Sequence, residues 1–359
     1  MDTSKRTWQK GRGALSAPAG RFESVVTESI DDGWGNLDEP VPALETTVGA
    51  DRPRSVIAWN QSPDVPFDRS INPYRGCEHG CIYCFARPSH AWYGLSPGQD
   101  FETQLFYKQD AARLLEEEIR SPTYEPAPIT LGANTDPYQP IERSYRVTRG
   151  LLEVLAEYRH PVSIITKGSL VERDLDVLQE LARCNAVSVM VSLTSMDAGL
   201  KRLLEPRAAA PARRLRTIER LSDAGIPVGT LVAPVIPALT DHELEHLLQA
   251  AADAGVRSAG YVLLRLPHEV EPLFTEWLRA HYPDRADRIL NHLRDAHGGN
   301  CYDASFGHRM RGSGAWADLL RRRFQVACRR AGIDPSRRIN LSSEDFRRPP
   351  RPGDQTELF

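Results

Sequence analysis

The chain has 359 residues, 41% of them hydrophobic and 26% charged, with a formal net charge of −3. That length can bury one large core with appendages or two modest ones, and the slight acidity excludes a uniformly basic nucleic-acid binder. No run of eighteen apolar residues occurs and the opening MDTSKRTWQKGRGALSAP lacks an apolar stretch, so neither a membrane span nor secretion is expected and the chain reads as cytoplasmic.

Residues 1–69 are rich in Gly, Pro, Ser and acidic side chains without a sustained period, and read as an irregular arm wrapping the core. SINPYRG (70–76) then offers a first strand. Near-continuously apolar runs follow at PITLGAN (128–134), VSIIT (162–166), AVSVMVSL (186–193), PVGTLVAPV (227–235) and GYVLLRL (260–266), as strands covered on both faces require. Helical periodicity fills the gaps, through Leu151, Leu152 and Leu155, then Leu175 to Leu181, Leu215 to Leu221, and Leu244 to Ala251. Pro211 suits a first helical turn, Gly225 and Gly255 suit left-handed helix ends, and Asp241 suits the cap of the fourth helix. About six β-α units predict an α/β fold with a parallel sheet, a partial (β/α)6 barrel over 70–266, since six units are too few for a closed eight-fold one. Residues 267–345 read as a helical extension, with helices near 271–280, 285–294 and 315–332. Residues 346–359, rich in proline and charge, read as a disordered tail.

Six cysteines are present, three of them in GCEHGCIYCFARP (76–88) as Cys77, Cys81 and Cys84. Cys184 and Cys328 lie in apolar helical patterns and read as small buried thiols. The clustered trio does not resemble a disulfide framework; in a reducing compartment it points to metal binding or catalysis. One reading is structural zinc completed as a Cys3His site by His79 or His90, in a non-catalytic adaptor binding DNA or the sliding clamp. The other is a cubane cluster held by three thiolates, with one iron left open to a cofactor.

The Cys-x3-Cys-x2-Cys loop, with aromatic Tyr83 directly before its last cysteine, resembles the hallmark of the radical S-adenosylmethionine enzymes. The resemblance implies a partial barrel of that type and a 4Fe-4S cluster on Cys77, Cys81 and Cys84. It also implies S-adenosyl-L-methionine on the open iron, and a reducing partner such as flavodoxin or ferredoxin. One-electron cleavage of the cofactor then gives a 5'-deoxyadenosyl radical that takes hydrogen from a substrate. NPYRGCEHGCIYCFARPSH, GANTDPYQPIER, TKGSLVERDLDVL, LTSMDAGLKRLLEPRAAAPARRL and APVIPALTD look like the spore photoproduct lyase-related branch labelled DNA repair photolyase. That likeness spans most of 70–345, and is tighter to an uncharacterised bacterial subgroup with GRGALSAPAGRFE and DDGW in the arm.

By this likeness Thr135, Lys167 and Ser192 match cofactor-contacting positions. Gly132, Asn134, Thr135 and Asp136 stand where the family commonly has a Gly-Gly-Glu-like segment, although a turn is an equal reading of Asp136. Arg207 matches a residue suited to a carboxylate or phosphate. Spore photoproduct lyase has a hydrogen-donating cysteine just after the second strand; Ala133 occupies that position here. Cys301 can replace it from another loop or be incidental, and Tyr138 is either a radical relay or a structural residue. The basic runs at 213–220, 321–324 and 346–351 favour an anionic partner such as nucleic acid, or are solvated faces. The terminal QTELF resembles the peptide that docks repair proteins on the sliding clamp, with Leu358 and Phe359 in a pocket and Gln355 setting the register.

Overall fold

A computed structural model describes residues 11–23, 44–334 and 339–350 of the chain. Its strands are β1 (Thr47–Asp51), β2 (Ala58–Trp59), β3 (Arg69–Ile71), β4 (Tyr74–Arg75), β5 (Gln104–Lys108), β6 (Ile129–Leu131), β7 (Val162–Thr166), β8 (Val187–Ser192), β9 (Val228–Val235) and β10 (Ser258–Leu263). Seven form one sheet in the order β10-β9-β8-β7-β6-β3-β2, and β1, β5 and β4 form a second. In the large sheet the neighbours from β3 to β10 pair in parallel and the edge strand β2 runs antiparallel; in the small one β1 is parallel and β4 antiparallel to β5. Six parallel strands are thus present, as the apolar runs predict.

The helices are α1 (Asp100–Thr103), α2 (Ala111–Arg120), α3 (Glu142–Tyr145), α4 (Val147–Glu157), α5 (Leu175–Arg183), α6 (Ala198–Leu204), α7 (Pro211–Asp223), α8 (Leu244–Asp253), α9 (Val270–His281), α10 (Pro283–Ala296) and α11 (Gly314–Arg330). The crossover helices α4, α5, α7 and α8 pack their leucines against the sheet in one continuous core, which α11 extends through Leu320, Phe324 and Cys328. A second core lies between the arm, the cysteine loop and α9 and α10, with Trp277 fully buried at its centre. No helix among the described residues is long and apolar enough to cross a membrane.

Three expectations change. The arm is not wholly irregular, because Thr47–Asp51 pairs with β5 and Ala58–Trp59 caps the large sheet. The 70–76 strand splits at Asn72 and Pro73, where proline cannot donate to a ladder, so β3 joins the large sheet and β4 the small one. Asp241 does not cap α8; it opens a short 3-10 turn, and Glu243 precedes the helix without a side-chain cap. The clamp-like residues Gln355, Leu358 and Phe359 lie outside the described residues.

The two ends of the large sheet meet. A flat sheet of seven strands would hold its outer strands roughly 29 Å apart. Here the segment after β2 reaches the loop that follows α10. Gly307 N donates to Asp64 Oδ1 at 2.7 Å and Arg309 pairs with Asp64 and Ser62, while Leu263 N at the end of β10 donates to Met310 O at 2.9 Å. The sheet is therefore curled, and polar contacts bridge its open side.

The start of the supposed tail is packed. Phe346 sits edge-on to His160 at 5.6 Å and beside Tyr124 and Tyr158, and Arg347 N donates to Tyr158 O. His160 is fully buried, its Nε2 bonded to the Tyr124 hydroxyl at 2.8 Å and its Nδ1 to Pro161 O at 3.0 Å. Burial, with a smaller contribution from the Arg69 charge, pushes its pKa down to about 4. The unfolded chain takes up this proton near pH 6.5 and the folded chain does not, so stability is full above that value and falls as pH drops towards 4. The expected loss is on the order of 3 kcal/mol. Denaturant melts of wild type and His160→Gln between pH 7 and 4 check it: the variant should lose that part of the slope, and parallel curves would contradict the assignment.

Candidate functional site

The cysteine loop leaves β4 through Gly76, whose φ of +71° and crowded surroundings admit no side chain; a Cβ would meet Leu105 at 2.6 Å and Phe101 O at 2.9 Å. Successive turns follow, with Gly80 N on Cys77 O, Cys84 N on Cys81 O and Arg87 N on Cys84 O. The loop is tied to its neighbours through Cys77 N to Phe101 O and Ile82 N to Leu204 O, the last residue of α6.

A buried ion pair braces it from below. Arg87 donates to Cys81 O, Gly98 O and Glu102 Oε1, and both members of the Arg87–Glu102 pair are fully buried. The other acceptor positions of Glu102 are filled by the arm, through Gly13 N and Ala14 N, both at 2.9 Å. Arg12 reaches Glu102 O and Leu44 O. A Cβ on Gly13 would collide with Gly80 O, so the arm passes against the loop only as glycine. The sequence marks this segment as GRGALS but does not announce its partner.

A second buried pair holds Tyr83. Its hydroxyl donates to Glu205, which is also paired with Arg214 and accepts from Thr194 Oγ1. Burial alone would raise the Glu205 pKa; Arg214 and Lys167 outweigh it and hold the group at about 2. Arg214 also caps the end of β8 by donating to Ser192 O. The Lys167 ammonium lies 5.8 Å from the centre of the Tyr83 ring.

The thiols face a shared environment. Burial raises all three; for Cys77 the next causes are Asp136 and the other two thiols, and for Cys81, pushed up to about 12, they include Glu205. Without added positive charge these groups stay protonated, and a bound iron cluster supplies the charge that converts them to thiolates. The donor set therefore fits the cluster.

Each histidine of the zinc reading has one ring nitrogen engaged. His79 Nδ1 lies 3.3 Å from Asp136, and His90 bonds Gln104 O through Nε2 and meets Phe101 edge-on. The His90 Nδ1 is buried without a partner, yet no three His, Cys, Asp or Glu side chains among the described residues close around a single ion.

The other sequence-derived residues divide. Asp136 is a structural hub: besides His79, its carboxylate accepts from Thr166 Oγ1, Lys167 N and Tyr138 N. Gly132 is required by the backbone, since its φ is +88° and a Cβ there would collide with Ile165 O. Asn134 N and Thr135 N share Asn72 Oδ1, and Thr135 Oγ1 donates to Tyr74 O. Arg207 pairs with Glu78 of the cysteine loop itself, so its carboxylate partner is intramolecular. Ser192 lies buried at the end of β8.

Two residues stand apart. The Tyr138 hydroxyl donates to Asp174, in a network of Arg149, Arg173 and Glu142 within the helix-side core, which suits the structural reading. Cys301 lines a cavity of about 310 Å³ with Leu266, His268, Glu271, Arg294 and Tyr302. Burial and then Glu271 push its thiol up to about 11.

An uncharacterised protein of Mycobacterium tuberculosis is 39% identical over 236 residues, spanning 64% of this chain and 69% of its own length. One from Methanocaldococcus jannaschii is 28% identical over 222 residues, covering 62% of this chain and 79% of the relative. The fold is similar to that of spore photoproduct lyase complexed with dinucleoside spore photoproduct, with a TM-score of 0.57 at 15% identity over 79% of each chain. Residues 71–251 match the radical SAM superfamily, and this chain belongs to that superfamily, whose members use a 4Fe-4S cluster and S-adenosylmethionine.

Proposed function

We propose that this radical SAM enzyme binds its cluster through Cys77, Cys81 and Cys84 and acts on nucleic acid in a reducing, cytoplasmic setting. The observation that carries the reading is the three-thiol loop, fixed between two buried ion pairs at the carboxyl edge of a curled sheet. When bound, the cluster and S-adenosylmethionine supply a 5'-deoxyadenosyl radical that removes a hydrogen atom from the substrate. A reductant of flavodoxin or ferredoxin type provides the electron.

The residues around the loop bind, orient and shield. Arg87 and Glu102 set the loop's height above the sheet, and Glu205 fixes the Tyr83 ring beside the thiols. Lys167 is the cation best placed for an anionic group of the cofactor, and Ser192 and Thr135 lie at neighbouring strand ends. Lys167→Gln is expected to retain full iron content while weakening S-adenosylmethionine binding about tenfold, a charge-assisted bond's worth. Equilibrium dialysis with the reconstituted variant checks this, and unchanged affinity would remove Lys167 from the site.

Nucleic acid is supported by the likeness in fold to a lyase solved with a dinucleoside lesion, and by arginine–aromatic stacks beside the loop, notably Arg265 over Phe85 at 4.6 Å. Ala133 after β6 stands where the likeness places the hydrogen-donating cysteine of spore photoproduct lyase, which argues against borrowing that route. The test is to supply deuterated oligodeoxynucleotide or a deuterated metabolite pool and follow the label. Deuterium in 5'-deoxyadenosine from the oligonucleotide supports the reading, and transfer only from the small-molecule pool overturns it.

A further inference from the structure

Across the open side of the sheet, where its two ends meet, the loop 303–312 presents aromatic rings and arginines together. Phe306 is 58% exposed with the Arg309 guanidinium over one face at 4.8 Å. Phe85, directly after Cys84, is 40% exposed and carries Arg265 at 4.6 Å. The two pairs are neighbours, since Arg265 Nη1 contacts Met310 Sδ at 3.1 Å, one residue from Arg309. Arg311 adds a third guanidinium, over Tyr261.

The loop is held in place by polar contacts, chiefly those to Asp64 and Ser62 and the bond from Leu263 N. Ordering it leaves Phe306 in solvent, so its apolar face contributes little to the fold. Arg265 Nε is buried without a hydrogen-bond partner among the described residues, which leaves a donor unsatisfied beside Phe85. Aromatic faces flanked by guanidinium groups suit bases that stack and phosphates that pair, as single strands require.

Resting on the nucleic-acid reading above, we propose that Phe85, Arg265, Phe306 and Arg309 form the track on which a single strand lies as it enters the radical site. The Asp64 carboxylate occupies Arg309 until a phosphodiester takes its place. This makes a signed prediction that a purely structural latch does not: removing Asp64's charge strengthens binding, because Arg309 is freed and a like charge no longer opposes the phosphate.

The experiment is fluorescence anisotropy with a labelled single-stranded oligodeoxynucleotide of roughly 12 nucleotides, on protein checked by circular dichroism. Phe306→Ala should weaken binding about tenfold, the usual worth of one stacked base. Arg309→Gln should weaken it and lower the salt slope by about one, and Asp64→Asn should tighten it several-fold. If wild type binds and the three variants bind alike, or a duplex binds more tightly and is indifferent to Phe306, the track is overturned while the nucleic-acid reading stands. If wild type binds no oligonucleotide at all, that reading falls first.

Discussion

Cys81→Ala is expected to abolish cluster assembly, leaving iron near zero after anaerobic reconstitution where wild type takes up about four per chain. Two thiolates cannot hold the cubane firmly. The substitution removes one sulfur from a loop whose backbone is pinned independently by Arg87 and Gly76, so the fold should persist. Iron quantitation with far-UV circular dichroism decides. A folded variant with full iron content would show that Cys81 is not a ligand.

Glu102→Gln should be the most damaging change that leaves the cysteines untouched. The carboxylate neutralises a fully buried guanidinium and accepts two arm amides, and glutamine would point a donor at one of these donors. Breaking such a buried pair from one side costs about 3–5 kcal/mol. At roughly 2–4 °C per kcal/mol this lowers Tm by on the order of 10 °C. Exposed Glu117, paired with Arg113 on the surface of α2, is the control, and Glu117→Gln should shift stability by less than about 1 kcal/mol. Equal melting of the two variants would mean that Glu102 does not brace the loop.

Much of the barrel is legible because strands covered on both faces must be apolar. VSIIT matches β7 residue for residue, bounded by Pro161 and the Lys167-Gly168 turn. At the edge of the sheet the signal fails: β10 begins at Ser258, ahead of the apolar run, where Ser258 and Ala259 pair with Gly229 and Thr230 of β9. The small sheet is not legible because β1 and β5 are half-exposed and carry no clean alternation. Phe346 shows the limit of composition: its ring docks on His160, and the polar residues after it bond the backbone of Glu157, Ser121 and Tyr124.

The site divides in the same way. The thiols declare themselves through local spacing, which chemistry constrains. Their supports do not, because Glu102 meets Gly13 and Ala14 nearly ninety positions away in the chain, and the partners of Tyr83 come from just past β8 and from the C-terminal end of α6. Asp136 reads equally as a turn or a cofactor contact in the sequence; its four internal partners favour the structural role.

The central claim is that the three-cysteine loop carries a cluster with an iron open to S-adenosylmethionine. Its most direct test is anaerobic reconstitution of wild type with iron and sulfide, followed by reductant and S-adenosylmethionine and chromatography for 5'-deoxyadenosine. The account predicts a brown protein absorbing broadly near about 400 nm that forms 5'-deoxyadenosine, with Cys81→Ala forming none. A colourless protein retaining stoichiometric zinc and yielding no 5'-deoxyadenosine would contradict it.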